Sequence, residues 1–319
     1  MCRLVARNSA AASKFRALSS DQCGPDIPES MASVCANAVH GSNFAAQGVP
    51  FYNRTQHNIV AHVHIAKMAG RETLLHFPVV AKLQFCPFQG DEWNTWTANR
   101  SEELRTNLAK HCAATQEQCF FTWENNWDLF QQGCTPAILP YTGKQPFYMT
   151  LLRSPTSWVF SALAHYGKTG EEAASRDARG ESFAGPYSFG IPLNRLTGGS
   201  VPTARKISTA LHNLRGAAFG LVEDVSASFL LILWQLGLSD QARSYCGASH
   251  PSLRSLTEVE HLGFGSRNGS FDIDIRRYAT AQWLANAPAI QPYACVYSVA
   301  ATEFYHRLAK ARGAVCPSS

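Results

Sequence analysis

The chain has 319 residues, enough to bury a substantial core as one large α/β domain. Charged residues make up 16% of it, against about 25% in a typical globular domain, and the formal net charge is +5. That mild positive balance suits small anionic ligands and argues against a nucleic-acid partner, since no long Lys/Arg run is present.

Residues 1–50 are rich in Ser, Ala, Asn and Gly, lack periodicity, and read as a flexible leader or stem ahead of a single domain over 51–319. Arg3, Arg7, Lys14 and Arg16 with no acid among the first twenty residues resemble an organelle transit peptide. No hydrophobic run is long enough for a signal peptide or membrane span, so membrane attachment is expected only through an anchor absent from this sequence. Ten cysteines and three sequons (Asn53-Arg54-Thr55, Asn99-Arg100-Ser101 and Asn268-Gly269-Ser270) point instead to a secretory lumen where disulfides persist. Local bridges among Cys112, Cys119 and Cys134 are one expectation; the absence of any C-x-x-C pair argues against a zinc knuckle, and no metal is expected.

Three strand-then-helix units follow. The first is the β-rich run Ile59–Ile65, which breaks at Ala66–Gly70 before a helix-compatible stretch from Arg71 to about Val80. The second is Phe147–Leu152, then Arg153, with Ser154 as helix N-cap, Pro155 at the first helical position, and Trp158, Val159, Ala162, Leu163 and Tyr166 at helical spacing. The third is Ala218–Val222, then Glu223-Asp224 and an apolar helix from Val225 to Leu236 closed by Gly237. Stretches 84–119 and 168–205 read as loop-rich, and a last helix is expected from about Val296 to Ala311. Repeated β-α units imply a central parallel sheet flanked by helices.

Two segments carry chemistry. A loop between a strand and a helix N-terminus presents free backbone N–H groups and the helix dipole to an anion. Here that loop contains Lys67, Met68, Ala69, Gly70, Arg71, Glu72 and Thr73; the lysine supplies charge, and the small residues allow close approach. It lacks the G-x-x-x-x-G-K-[ST] pattern of nucleotide P-loops. Arg153, at the end of the second strand, and Ser161, two helical turns on, can together reach one phosphate, the arginine through a bidentate fork.

Together these segments resemble sulfotransferases that use 3′-phosphoadenosine 5′-phosphosulfate (PAPS), in particular the heparan sulfate 2-O- and 6-O-sulfotransferases of the Golgi. His64-Ile65-Ala66-Lys67-Met68-Ala69-Gly70 is similar to the family's H-I-x-K-T-G-G segment, which holds the 5′-phosphosulfate. Leu152-Arg153-Ser154-Pro155, with Ser161, is similar to the segment that holds the 3′-phosphate. Phe219-Gly220-Leu221-Val222-Glu223 is similar to the family's x-G-L-x-E strand. Met68 stands where the family has Thr, Arg71-Glu72 replace a small hydroxyl pair, and Ser154 replaces Asp.

The resemblance implies a P-loop-like three-layer fold, PAPS as co-substrate, and transfer of a sulfuryl group to a hydroxyl of a glycan or polysaccharide. Lys67 would stabilise the leaving phosphate. Aligning Phe120–Phe130 with the family's stretch around its histidine base puts Glu124 in that place, with His111 as the alternative base. His62 and His64 alternate with Val63 and so share a face; they read as structural, and His165 as supporting Ser161. Trp93, Trp96, Trp123 and Trp127 are candidates to stack on sugar rings or to fill the core. A binding module without turnover, a glycolipid acceptor and a small-molecule acceptor are the competing expectations, as is an organelle rather than the Golgi lumen as compartment.

Overall fold

The computed structural model describes residues 33–37, 48–65, 68, 77–85, 119–123, 127, 144–166, 190–198, 203–247 and 289–316. Five strands form one parallel sheet: β1 (His57–Val63), β2 (Gln84–Phe85), β3 (Cys119–Trp123), β4 (Gln145–Leu152) and β5 (Ala218–Leu221), in the order β2-β3-β1-β4-β5. Among the described residues, the helices that flank this sheet include α1 (Phe77–Ala81), α2 (Pro155–Tyr166), α3 (Ile191–Thr197), α4 (Thr203–Arg215), α5 (Val225–Gln235), α6 (Ser239–Arg243) and α7 (Gln291–Val315). Parallel pairing requires crossovers between strands, and the chain is therefore an α/β protein.

β1 is central because its side chains suit burial on both faces: Ile59, Val60, Ala61 and Val63 are all within the core. Alternation along the pleat assigns the two faces. Val60 and His62 share one face with Phe120 and Met149, their register partners on β3 and β4. Phe77 of α1 packs there, 5.8 Å from Phe120 and 5.6 Å from Phe229 of α5. Phe219 of β5 lies on the opposite face, where the Arg307 guanidinium of α7 sits 4.9 Å above its ring. Helices thus cover both faces of the sheet.

α5 approaches β5 closely at Gly220. A Cβ there would lie 2.4 Å from Ser228 Cβ and 2.7 Å from Leu151 Cδ2, so only glycine fits. Ser228 Oγ exploits this approach, accepting from Leu221 N at 2.7 Å and donating to Leu221 O at 2.8 Å. Asp224 caps the start of α5 through Ala227 N, and Gly237, at φ 76°, ends it. The bonds Gly237 N to Trp234 O and Leu238 N to Leu233 O form the paired closure typical of such glycine stops.

α7 is the longest helix and the main brace. Arg307 is buried, bonds Glu303 at 2.9 Å, and donates to Ala217 O and Arg215 O at the end of α4. A cation at a helix C-terminus meets the free carbonyls there. Two disulfides fasten α7: Cys35–Cys295 near its start and Cys246–Cys316 at its end. Within the expected leader, Cys35 is therefore a buried part of the core. Cys112 and Cys134 lie outside the described residues.

The structure departs from the sequence reading in several elements. β2 and α3 fall inside stretches expected to be loop, and β3 begins at the edge of one. β2 and β3 are short, and neither shows alternation; α3 has only Leu193 and Leu196 as buried apolar spacing, between Gly190 and Gly198. α7 starts five residues before the expected Val296 because Pro292 opens its first turn. Among the described residues, no helix is long and apolar enough to cross a membrane.

Gly220→Ala is expected to lower stability by about 1–3 kcal/mol, the usual cost of overpacking a filled core. A urea denaturation midpoint that falls with an unchanged slope would report it.

Candidate functional site

The C-terminal ends of β1, β4 and β5 converge at one edge of the sheet. Register fixes this: His62 aligns with Met149, and Leu152 with Leu221. β1 leads away toward β2 on one side, whereas β4 leads toward β5 on the other. Divergent connections from neighbouring parallel strands open a crevice between them, where α/β proteins bind ligands.

At this crevice Arg153 follows β4 and is only 3% exposed. Its Nε donates to Ser157 Oγ at 2.8 Å, which lays the guanidinium along the first turn of α2. Ser154 caps that helix, its Oγ accepting from Ser157 N at 3.4 Å, and Pro155 stands first in the helix, as the sequence predicts. Ser161 is half-buried two turns further on the same helix. A buried charge interacts with other charges more strongly than one in water.

Met68, the described residue of the loop after β1, is 1% exposed and turns back through its N–H to Ile65 O at 3.1 Å. Its Sδ lies 3.8 Å from Tyr293 Oη of α7. That same hydroxyl donates to Arg153 O at 2.7 Å and accepts from Arg153 N at 3.3 Å. One tyrosine thus touches both the segment after β1 and the segment after β4. Met68 packs its side chain inward. Lys67, Ala69, Gly70, Arg71, Glu72, Thr73, Glu124 and His111 lie outside the described residues.

Glu223 joins the third strand end. Its Oε1 accepts from Ser154 N at 2.7 Å and its Oε2 from Tyr297 Oη at 3.0 Å. The chain's own carboxylate thereby occupies an amide at the start of α2, beside the buried Arg153. Ser157, Tyr293 and Tyr297 were not apparent as site residues from sequence. The two tyrosines recur four apart on α7, a spacing that also describes any buried helix face.

His62 and His64 do share a face, with ring centroids 5.6 Å apart, and both are buried. His62 also stacks on Phe120 at 6.0 Å. Burial, with the neighbouring His64 adding to it, holds His62 well below the usual histidine range. It is a neutral core residue at pH 7. Trp127 is buried against Tyr148 at 5.2 Å and belongs to the core rather than to an exposed sugar platform. The side chains of Trp123 and His165 lie outside the description, as do Trp93 and Trp96. Among the described residues, no group of three or more His, Cys, Asp or Glu could hold a metal ion.

Comparisons with protein-family models, curated proteins and solved structures find no match for this chain.

Removing the Tyr293 hydroxyl (Tyr293→Phe) strips partners from two buried main-chain groups of Arg153 and is expected to cost about 1–3 kcal/mol of stability, read by chemical denaturation. A pH profile follows from the buried rings. His62 is depressed from 6.5, so the unfolded chain binds its proton more readily and stability falls as pH drops below that value. Burial raises Tyr293 and Tyr297 well above 10.0 and Tyr305 to about 12, so their stabilisation is intact below pH 10.0 and fades as pH rises beyond it. Melting temperature should therefore plateau between these limits and drop on both sides.

Proposed function

We propose that this chain is a PAPS-dependent O-sulfotransferase of P-loop-like fold, acting on a hydroxyl of a glycan or polysaccharide in the secretory pathway, in the Golgi lumen. The observation that carries the reading is the switch in strand order between β1 and β4, whose C-terminal ends adjoin. The loop containing Lys67 leaves one strand end, the buried Arg153 leaves its neighbour, and Tyr293 touches both segments. The order and spacing of the three family-like segments match strand ends that adjoin in space. The two disulfides support an oxidising compartment.

In this reading Arg153 and Ser161 hold the 3′-phosphate, and Lys67 with the main chain of 68–73 holds the 5′-phosphosulfate. PAPS supplies the activated sulfuryl group. Glu124, or else His111, accepts the proton of the attacking hydroxyl as the new S–O bond forms. Lys67 neutralises the charge that develops on the departing phosphate oxygen as the old S–O bond breaks. Acceptor selection rests with segments outside the described residues, and a glycolipid or small-molecule hydroxyl fits the same chemistry.

Met68 favours a second reading. A buried thioether in place of the family's threonine removes a hydroxyl from the phosphate cradle, as in a nucleotide- or glycan-binding module without turnover.

The test is transfer of labelled sulfate from PAPS to a panel of desulfated glycans. Lys67→Ala and Glu124→Gln should each lower transfer by about 100-fold or more. Ser161→Ala should weaken affinity for adenosine 3′,5′-bisphosphate. Nucleotide binding with no transfer to any acceptor would favour the binding module, and labelling from ATP instead of PAPS would reject the family reading.

A further inference from the structure

We propose that Asn53 carries an N-linked glycan whose first sugar packs on the exposed ring of Phe51. The inference is independent of the reaction assigned to the crevice. Asn53 opens the sequon Asn53-Arg54-Thr55 in a turn just before β1, and residues 53–56 are all exposed. Asn53 Oδ1 accepts from Thr55 N at 2.9 Å and from Thr55 Oγ1 at 2.8 Å. The carbonyl oxygen is thus engaged by the hydroxyl residue of the sequon, and no described residue bonds to the amide nitrogen.

The flanks of this turn are rigid. Asn53 O accepts from Gln56 N and His57 N, Asn53 N donates to His57 Nδ1, and Tyr52 N donates to Gln235 O at the end of α5. A glycan attached here leaves a firm surface rather than a loose end. Attachment itself joins Asn53 Nδ2 to the anomeric carbon of an oligosaccharide carried on a polyprenyl diphosphate. The sugar–phosphate C–O bond breaks, the lipid diphosphate departs, and the amide proton passes to a base of the transferring enzyme. Sequon recognition precedes folding, so exposure in the finished fold decides whether the product is tolerated. The two disulfides place this chain's chemistry in the oxidising compartments where such transfer takes place.

Phe51 gives the glycan a resting place. It is 45% exposed, one of three large hydrophobic side chains so exposed among the described residues. Its ring is held edge-on against Trp234 at 4.7 Å, so it stays fixed at the surface. It precedes Asn53 by two residues, within reach of the first sugar. The apolar face of a pyranose packs well on such a ring, and covering it removes apolar surface from water. The site also leaves the crevice open. Asn53 lies beyond the N-terminal end of β1, and the crevice lies beyond its C-terminal end, about 20 Å away along a seven-residue strand.

The full chain, expressed behind a cleavable secretory leader, tests both parts. Treatment with an amidase that releases N-glycans should shift its mobility and convert Asn53 to Asp in the peptide that contains it. Asn53→Gln and Thr55→Ala should each abolish that conversion, whereas Thr55→Ser should keep it. Unmodified Asn53 in secreted protein with Cys35–Cys295 formed would overturn the assignment. Enzymatic removal of all but the first sugar should leave the melting temperature nearly unchanged, and removal of that last sugar should lower it by about 2 °C. In Phe51→Ala the second drop should vanish; a drop equal to that of the parent would overturn the packing on Phe51.

Discussion

The hydroxyl of Tyr293 is the contact on which the C-terminal ends of the central strands depend. It comes from the final helix, yet it binds both main-chain groups of Arg153 and touches Met68 in the loop after β1. Parallel strands bring their C-terminal ends to one edge but do not dictate how the following loops sit. A buried phenol that makes two hydrogen bonds leaves little freedom, because any shift would strand a polar group away from water. Glu223 performs the same task one strand over, tying the start of α2 to Tyr297. The ends of β4 and β5 are thus tied to α7.

The opposite face of the sheet is governed by shape. Tyr245, Phe229, Phe77, Phe120 and His62 succeed one another at ring separations near 6 Å, from the turn after α6 across to the central strand. His62 joins this row only as a neutral ring, since a charge there would lack water. At the sheet's edge, Gly220 lets the helix backbone come close enough for Ser228 to bond β5 directly. A methyl group would abolish that approach. The glycine of the x-G-L-x-E segment is therefore explained by packing, and its glutamate by support of the neighbouring strand end.

The sequence was most legible where local chemistry decides structure. Ser154 and Pro155 predict the start of α2, and Gly237 the end of α5, because capping depends on neighbours in the chain. The alternation of His62, Val63 and His64 predicts their shared face. The apolar spacing of Ile207, Ala210, Leu211 and Leu214 was equally available, yet their helix begins at the edge of a stretch taken as loop. β2 is too short for any periodicity to register. At the site, Arg153 stood out by its place at a strand end, whereas Ser157 was one serine among several. Tyr293 and Tyr297 act across 140 and 74 positions of chain, and no local pattern distinguishes a tyrosine that supports a loop from one that fills a core.

Both disulfides among the described residues end on or beside α7, which follows every other described element. On a ribosome this helix emerges after the sheet strands and after both of its cysteine partners. Domains that complete themselves early can fold during synthesis, but here Cys35 must wait for Cys295, 260 residues later. The loop after β1 and Arg153 must likewise wait for Tyr293. Bracing of this strand-end region consequently comes only after α7 has been made, and Cys295 on that helix is then available to Cys35. A ribosome that stalls before that helix would release a chain with strands in hand and no braced site.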